Sequence, residues 1–366
     1  AAMRAAGLSA STPDPDQGRV VRGPDGSPSG AFYEAPAQRL VARSFPDPSE
    51  QEFREAAEAG AQDFARRGFV AVHTMALEDD DALRAVLRLE RVGRLPLRVW
   101  ACLGHADLAG VEQAGLLGGL GDRVRAGGIK FFADGALGSR TAAMLRPYAT
   151  GGTGLRVDAP ELIEERARRA IKLGFTPTVH AIGDAANRDV ISVFERLAPA
   201  ARLEGVRLRL EHAQHLNPED VPRLAATGAV ASVQPIHLPG DTAAIRAVMP
   251  GEREGQAYAF RSLLEAGVPL ALGSDAPVAE PTVAGNLEAA SRRLGPDGVP
   301  FHEEQSIPRL EALRAYTRGG AFAAGEEGWS GRVAPGFLAE FTVWDADPVS
   351  REDARPVRAL VWPEPV

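Results

Sequence analysis

The stretch "ELIEERARRAIKLGFTPTVHAIGD", residues 161–184, contains one complete structural unit. Its first half repeats apolar residues at helical spacing, a glycine closes that run, and a short apolar strand follows. The strand ends on His180, beyond which the chain becomes a polar loop. A helix delivered through Gly into a buried strand is the grammar of parallel α/β units.

The same cycle recurs from about residue 50. "EQEFREAAEAGAQDFARRG" leads into "FVAVHTM", "DALRAVLRLERVG" into "LRVWACLG", and "DLAGVEQAGLLGGLG" into "GIKFFADG". Beyond residue 184, "ANRDVISVFERLA" leads into "VRLRLEHAQ", "PEDVPRLAATG" into "AVASVQPIHL", and "YAFRSLLEAG" into "VPLALGSDAP". Seven strands are legible in this way, and eight close a (β/α)8 barrel. The expected fold is therefore an α/β TIM barrel over residues 51–324, with its first strand missing from this chain. A doubly wound open sheet is the rival, but no Gly-rich dinucleotide loop follows any of the strands.

The flanks read differently. "STPDPDQGRVVRGPDGSPSG", residues 11–30, is dense in turn formers, so residues 1–50 are expected to be an irregular excursion. The opening "AAMRAAGLSA" looks like the middle of a helix without an initiator Met, which suggests a missing front section. Residues 325–366, with "GRVAPGFLAEFTVWDADP" and "VRALVWPEPV", read as a return to part of a small β-sandwich domain.

Composition narrows the function. Of 366 residues, 45% are hydrophobic and 25% charged, ordinary for a soluble globular protein. The net charge of −8 and a pI near 5.5 argue against a nucleic-acid or anionic-membrane partner, which needs a clustered basic face. No apolar run approaches the roughly 20 residues of a membrane span. The single Cys102 excludes an internal disulfide and points to a reducing, cytoplasmic home. The expected partner is a small molecule, and a homodimer is the commonest assembly for such a chain.

Three strand ends share one feature. His180, His212 and Asp275 each follow an apolar run and precede a loop, so all three should face one rim of the barrel. Imidazole nitrogens and carboxylate oxygens converging at about 2.0–2.2 Å are what a catalytic zinc site needs. Each residue alone has a plainer reading, as a hydrogen-bonded structural His or a turn-forming Asp.

Lys130 belongs to the same rim, in "GGIKFFADGALGSR" at 127–140. Of the 41 basic residues only Lys130 and Lys172 are lysine. If an apolar stem with a solvated head were all that position needed, Arg would serve. A metal repels an ammonium, whereas a neutral amine can add CO2 to form an anionic carbamate, a step for which guanidinium is a poor nucleophile. His73 and His237 also end strands or follow them, and Asp134, Ser139 and Arg140 occupy the loop after Lys130. These are candidate substrate contacts. His215 reads as a polar loop residue, His105 and His302 as ordinary surface, and "EDDD" at 78–81 as a solvated helix start.

Taken in order, "GIKFFADGALGSRTAA", "VHAIGD", "LEHAQ", "SVQPIHL" and "LALGSDAPV" resemble the amidohydrolase superfamily. The nearest branch is amidohydrolase family 3, the YtcJ-like proteins that include N-substituted formamide deformylases. The likeness runs over roughly residues 1–348. It implies one or two divalent metal ions, most often zinc, at the barrel rim. Carboxylated Lys130 would bridge them, His180 and His212 would hold the more exposed ion, and Asp275 would bind the buried ion and act as general base. The implied reaction is hydrolysis of a C–N bond in an amide, formamide or cyclic amide by metal-activated water. That family's first strand carries a His-x-His pair, and none occurs among histidines 73, 105, 180, 212, 215, 237 and 302. Two other readings stay open: a non-catalytic, degenerate barrel that binds small molecules or persists as a remnant, and a phosphate-binding isomerase or aldolase. The second of these lacks a Gly-rich phosphate loop.

Overall fold

The computed structural model describes residues 1–16, 18–77, 80–105, 108–113 and 122–361. The chain divides into two compact units, Ala1–Glu52 and Phe53–Val366. In the first, β1 (Arg19–Arg22) and β2 (Pro28–Tyr33) pair antiparallel, followed by a helix over Glu34–Ala42. This corrects the expectation of an irregular excursion. The "PDGS" turn formers make the loop of a hairpin, with Gly26 at φ 78°, where a side chain would be strained.

In the second unit every legible apolar run becomes a strand. They are β3 (Ala71–Leu77), β4 (Arg98–Gly104), β5 (Val124–Phe132), β6 (Thr176–Ala181), β7 (Arg209–His212), β8 (Val230–Val233) and β9 (Leu270–Leu272). All pair in parallel, in chain order, with β3 and β9 at the edges. Helices at Asp80–Arg91, Pro160–Lys172, Asp184–Leu203 and Asp220–Thr227 fall between successive strands. The architecture is a TIM-barrel-like α/β fold. The expected helix start at 78–81 lies partly outside the described residues. Among the described residues no helix is long and apolar enough to cross a membrane.

Strand alternation decides what enters the ring. On β5, Ile129 and Phe131 are fully buried in the apolar core, which also takes in Ile163, Phe194 and Leu197 from the helices. Lys130 between them therefore faces inward. Inside, Trp100 and Cys102 need room: a Cβ on Gly127 would stand 2.0 Å from Trp100 Nε1, and one on Gly128 2.5 Å from Cys102 Sγ. Those two glycines admit the interior side chains.

The C-terminal segment forms a separate antiparallel pair, β10 (Glu340–Trp344) and β11 (Pro356–Val361). Arg98, the first residue of β4, fastens this region to the end of the ring opposite the rim. It donates to Glu340 Oε1 at 2.7 Å, to Ser330 Oγ at 2.7 Å and to Glu326, and lies 5.0 Å over the Trp329 ring. Its side chain is 8% exposed, and burial raises the Glu326 carboxyl while Arg98 holds it down. Arg98→Met should strand two buried carboxylates and cost about 3–5 kcal/mol in denaturant unfolding. A loss under about 1 kcal/mol would contradict this role.

Candidate active site

Lys130 stands opposite Gly104 on β4 and Thr178 on β6. It is 4% exposed, with Nζ 5.1 Å from the Phe132 ring. Burial is the main influence and drives its amine below the ordinary lysine range, while Glu211, then Cys102 and Asp275, oppose that shift.

His180 lies near the end of β6, and His212 closes β7 opposite Ala181. Their rings are 4.5 Å apart, edge to face at 72°. His180 Nε2 lies 3.0 Å from the Gly135 carbonyl, and His212 Nδ1 lies 2.8 Å from Gln234 Oε1. Gln234 Nε2 donates to the Ser232 carbonyl at 3.1 Å, which orients the amide with its oxygen toward His212. With those nitrogens protonated, His180 Nδ1 and His212 Nε2 carry the free lone pairs. Burial pushes His180 well below its ordinary pKa, helped by the neighbouring His212 and Lys130. It pushes His212 down to about 3, with Lys130 the next cause. Both imidazoles are neutral near pH 7, the form that ligates metal.

Asp275 follows β9, and its charge is felt at both Lys130 and His180. Its φ is 54°, and that of His212 is 73°. Left-handed backbone at non-glycine residues costs about 1–3 kcal/mol and concentrates where side-chain placement matters. His237 Nε2 lies 3.1 Å from the carbonyl of Ser274, so this imidazole is also at the rim.

The other expected contacts lie in three different settings. Asp134 is 2% exposed, and its carboxylate accepts from the backbone N–H groups of Ala143 (2.8 Å), Ile182 (2.9 Å) and Gly183 (2.8 Å). It clamps the loop after β5 to the loop after β6, and its Oδ1 also lies 3.5 Å from His180 Nε2. His73 is inside the ring, accepting from Arg209 Nη1 at 3.1 Å with its ring 5.1 Å from that of Trp100. Burial, then Arg209, pushes its pKa well down. Arg140 is exposed on its loop. His215 is not an open loop residue: it is 1% exposed, and its carbonyl accepts from Asn187 Nδ2 at 3.0 Å.

Sequence reading missed the buried pair beneath the rim. Arg209 and Glu211 are 1% and 3% exposed, and Arg209 Nε donates to Glu211 Oε1 at 3.0 Å. The guanidinium also stacks 4.8 Å over Trp100. The available signal was two charges alternating with leucines on a strand buried on both faces, "LRLEH".

Among the described residues no group of three or more His, Cys, Asp and Glu side chains is close enough to hold an ion. The donor set is mixed instead: two adjacent neutral imidazoles with free lone pairs, a buried amine whose pKa burial lowers, and a carboxylate at the mouth. That set fits a divalent cation once Lys130 carries a carbamate.

A family model described as the amidohydrolase family matches residues 1–362. YtcJ of Bacillus subtilis (strain 168) is 32% identical over 365 residues, covering 97% of this chain and 68% of that protein. The N-substituted formamide deformylase of Arthrobacter pascens is 27% identical over 362 residues, 95% of this chain and 66% of that protein. A crystal structure of an uncharacterized metal-dependent hydrolase from Pyrococcus horikoshii aligns with a TM-score of 0.81 at 26% identity, covering 96% of this chain and 69% of that one. The chain thus spans about two thirds of the length of these relatives.

Burial holds His215 at a pKa of about 3 against 6.5 for the free group. Its contribution to stability is present above pH 6.5 and is lost as pH falls toward 3. His215→Gln should therefore flatten the acid slope of unfolding free energy between about pH 6 and 4, by up to about 1.4 kcal/mol per pH unit. An unchanged slope would show that His215 titrates normally.

Proposed function

Because the chain belongs to the amidohydrolase family, we propose that it hydrolyses a carbon–nitrogen bond in a small amide-type substrate with the help of a divalent metal ion. The observation that carries this reading is the His180–His212 pair, 4.5 Å apart beside a buried, pKa-lowered Lys130.

Lys130, His180, His212 and Asp275 would hold the ion, and zinc suits such nitrogen and oxygen donors. When bound, such an ion lowers the pKa of water and polarises a carbonyl. Lys130 takes part through its carbamate: the neutral Nζ forms a bond to the carbon of CO2 as one C=O pair moves onto oxygen, and the proton lost from nitrogen passes to solvent, leaving one negative charge shared by two oxygens. Burial favours this by keeping the amine unprotonated more often than in water. His180 and His212 stay neutral, each oriented by the hydrogen bond at its other nitrogen. A carboxylate oxygen of Asp275 receives a proton from the attacking water and returns it to the leaving nitrogen. His237, on the same rim, contacts the substrate. Amides, formamides and cyclic amides are the substrate class, in keeping with the named activity of the Arthrobacter pascens relative.

A second reading, a non-catalytic barrel that binds small molecules, draws on the lack of a ready three-residue ligand cluster among the described residues. Metal content separates the two. Protein prepared with zinc and bicarbonate should retain at least about one equivalent of metal by elemental analysis. Lys130→Ala should lose that metal, along with about 100-fold or more of formamide hydrolysis. A metal-free wild type, or full metal content in Lys130→Ala, would overturn the hydrolase reading.

A further inference from the structure

We propose that Asp241 sets substrate specificity, its carboxylate receiving an ammonium group carried on the amine side of the substrate. The inference rests on the hydrolase reading and deepens it.

Asp241 lies in the helix Leu238–Val248, one turn beyond His237. Its Oδ2 accepts from Tyr258 Oη at 2.6 Å and from Gln214 Nε2 at 2.9 Å. Both donors are fixed: Tyr258 is 2% exposed and Gln214 3%. The Tyr258 N–H donates to the Gln214 carbonyl at 2.7 Å, and the fully buried Arg293 donates to the Tyr258 carbonyl at 2.8 Å. The carboxylate therefore cannot swing. Its other oxygen, Oδ1, accepts no hydrogen bond among the described residues, and the residue is only half-buried.

Position ties this group to the reaction site. Gln214 comes two residues after His212, and His237 reaches the carbonyl of Ser274, next to Asp275. Asp241 thus stands on the loop side that carries His212, His237 and Asp275. Among the described residues it forms no ion pair, whereas Asp220, for example, is paired with both Arg188 and Arg223. A pinned carboxylate with one open oxygen and no cation of its own suits a charged N–H donor, which gives a shorter and stronger hydrogen bond than a neutral one. An uncharged alkyl group of equal size offers it nothing.

The test compares N-(3-aminopropyl)formamide with N-butylformamide, which differ only in a terminal ammonium in place of methyl. Metal-loaded wild type should prefer the ammonium substrate by about tenfold in kcat/KM, mostly through KM. Added salt should narrow that preference. D241N should bring the ratio close to unity, and Tyr258→Phe, which removes one of the two pinning donors, should leave it intermediate. A merely structural role for Asp241 would lower both substrates alike. Equal use of the two by wild type, or an unchanged preference in D241N, would overturn the assignment. If wild type hydrolyses neither, the hydrolase reading fails, and the subsite is decided by binding. Tighter binding of 1,3-diaminopropane than of butylamine, lost in D241N, upholds it, and equal binding overturns it.

Discussion

The structure depends on an amine held on the inner face of a curled, seven-stranded parallel sheet. Lys130 is 4% exposed, yet Arg209 already brings one buried cation to the same interior. Glu211 answers one positive charge, and Asp275 acts from the mouth. Taking charges out of water costs several kcal/mol each unless they are paired. A neutral amine would relieve part of that cost, and it is also the form that adds CO2. A carbamate there, as proposed, would turn the local charge negative, and a divalent cation between His180 and His212 would be its natural complement. Burial, reactivity and ion binding are in this account one constraint viewed three ways.

The surrounding scaffold serves that constraint at two ends of the ring. At the rim, Asp134 ties three backbone N–H groups from two loops together and so fixes the end of the strand that carries His180. Gln234 does the same for the His212 ring. At the opposite end, Arg98 joins β4 to the C-terminal pair through Glu340 and Glu326. Stability and chemistry are thus separated along the strand axis, as barrel enzymes usually separate them.

Much of this was readable in the sequence, for physical reasons. A strand buried on both faces must be apolar, and a helix that ends on Gly marks its own boundary, so all seven parallel strands were legible. His180, His212 and Asp275 stood out because each interrupts an apolar run at the end. What could not be read depends on contacts across long sequence distances. Arg209 meets His73 across 136 positions, and Arg98 meets Glu340 across 242. The backbone partners of Asp134 were hidden likewise, because nothing local shows that its acceptors will meet the N–H groups of Ile182 and Gly183. The 19–33 hairpin was hidden for the opposite reason: the turn residues that make its loop are the same ones that mark irregular chain.

The most direct measurement of the central claim is a crystal structure of the zinc- and bicarbonate-treated protein, with anomalous data at the zinc edge. An ion is expected about 2.0–2.2 Å from His180 Nδ1, from His212 Nε2 and from an oxygen of carboxylated Lys130. An ion bound elsewhere, or Lys130 found as a bare ammonium paired with Glu211, would contradict it.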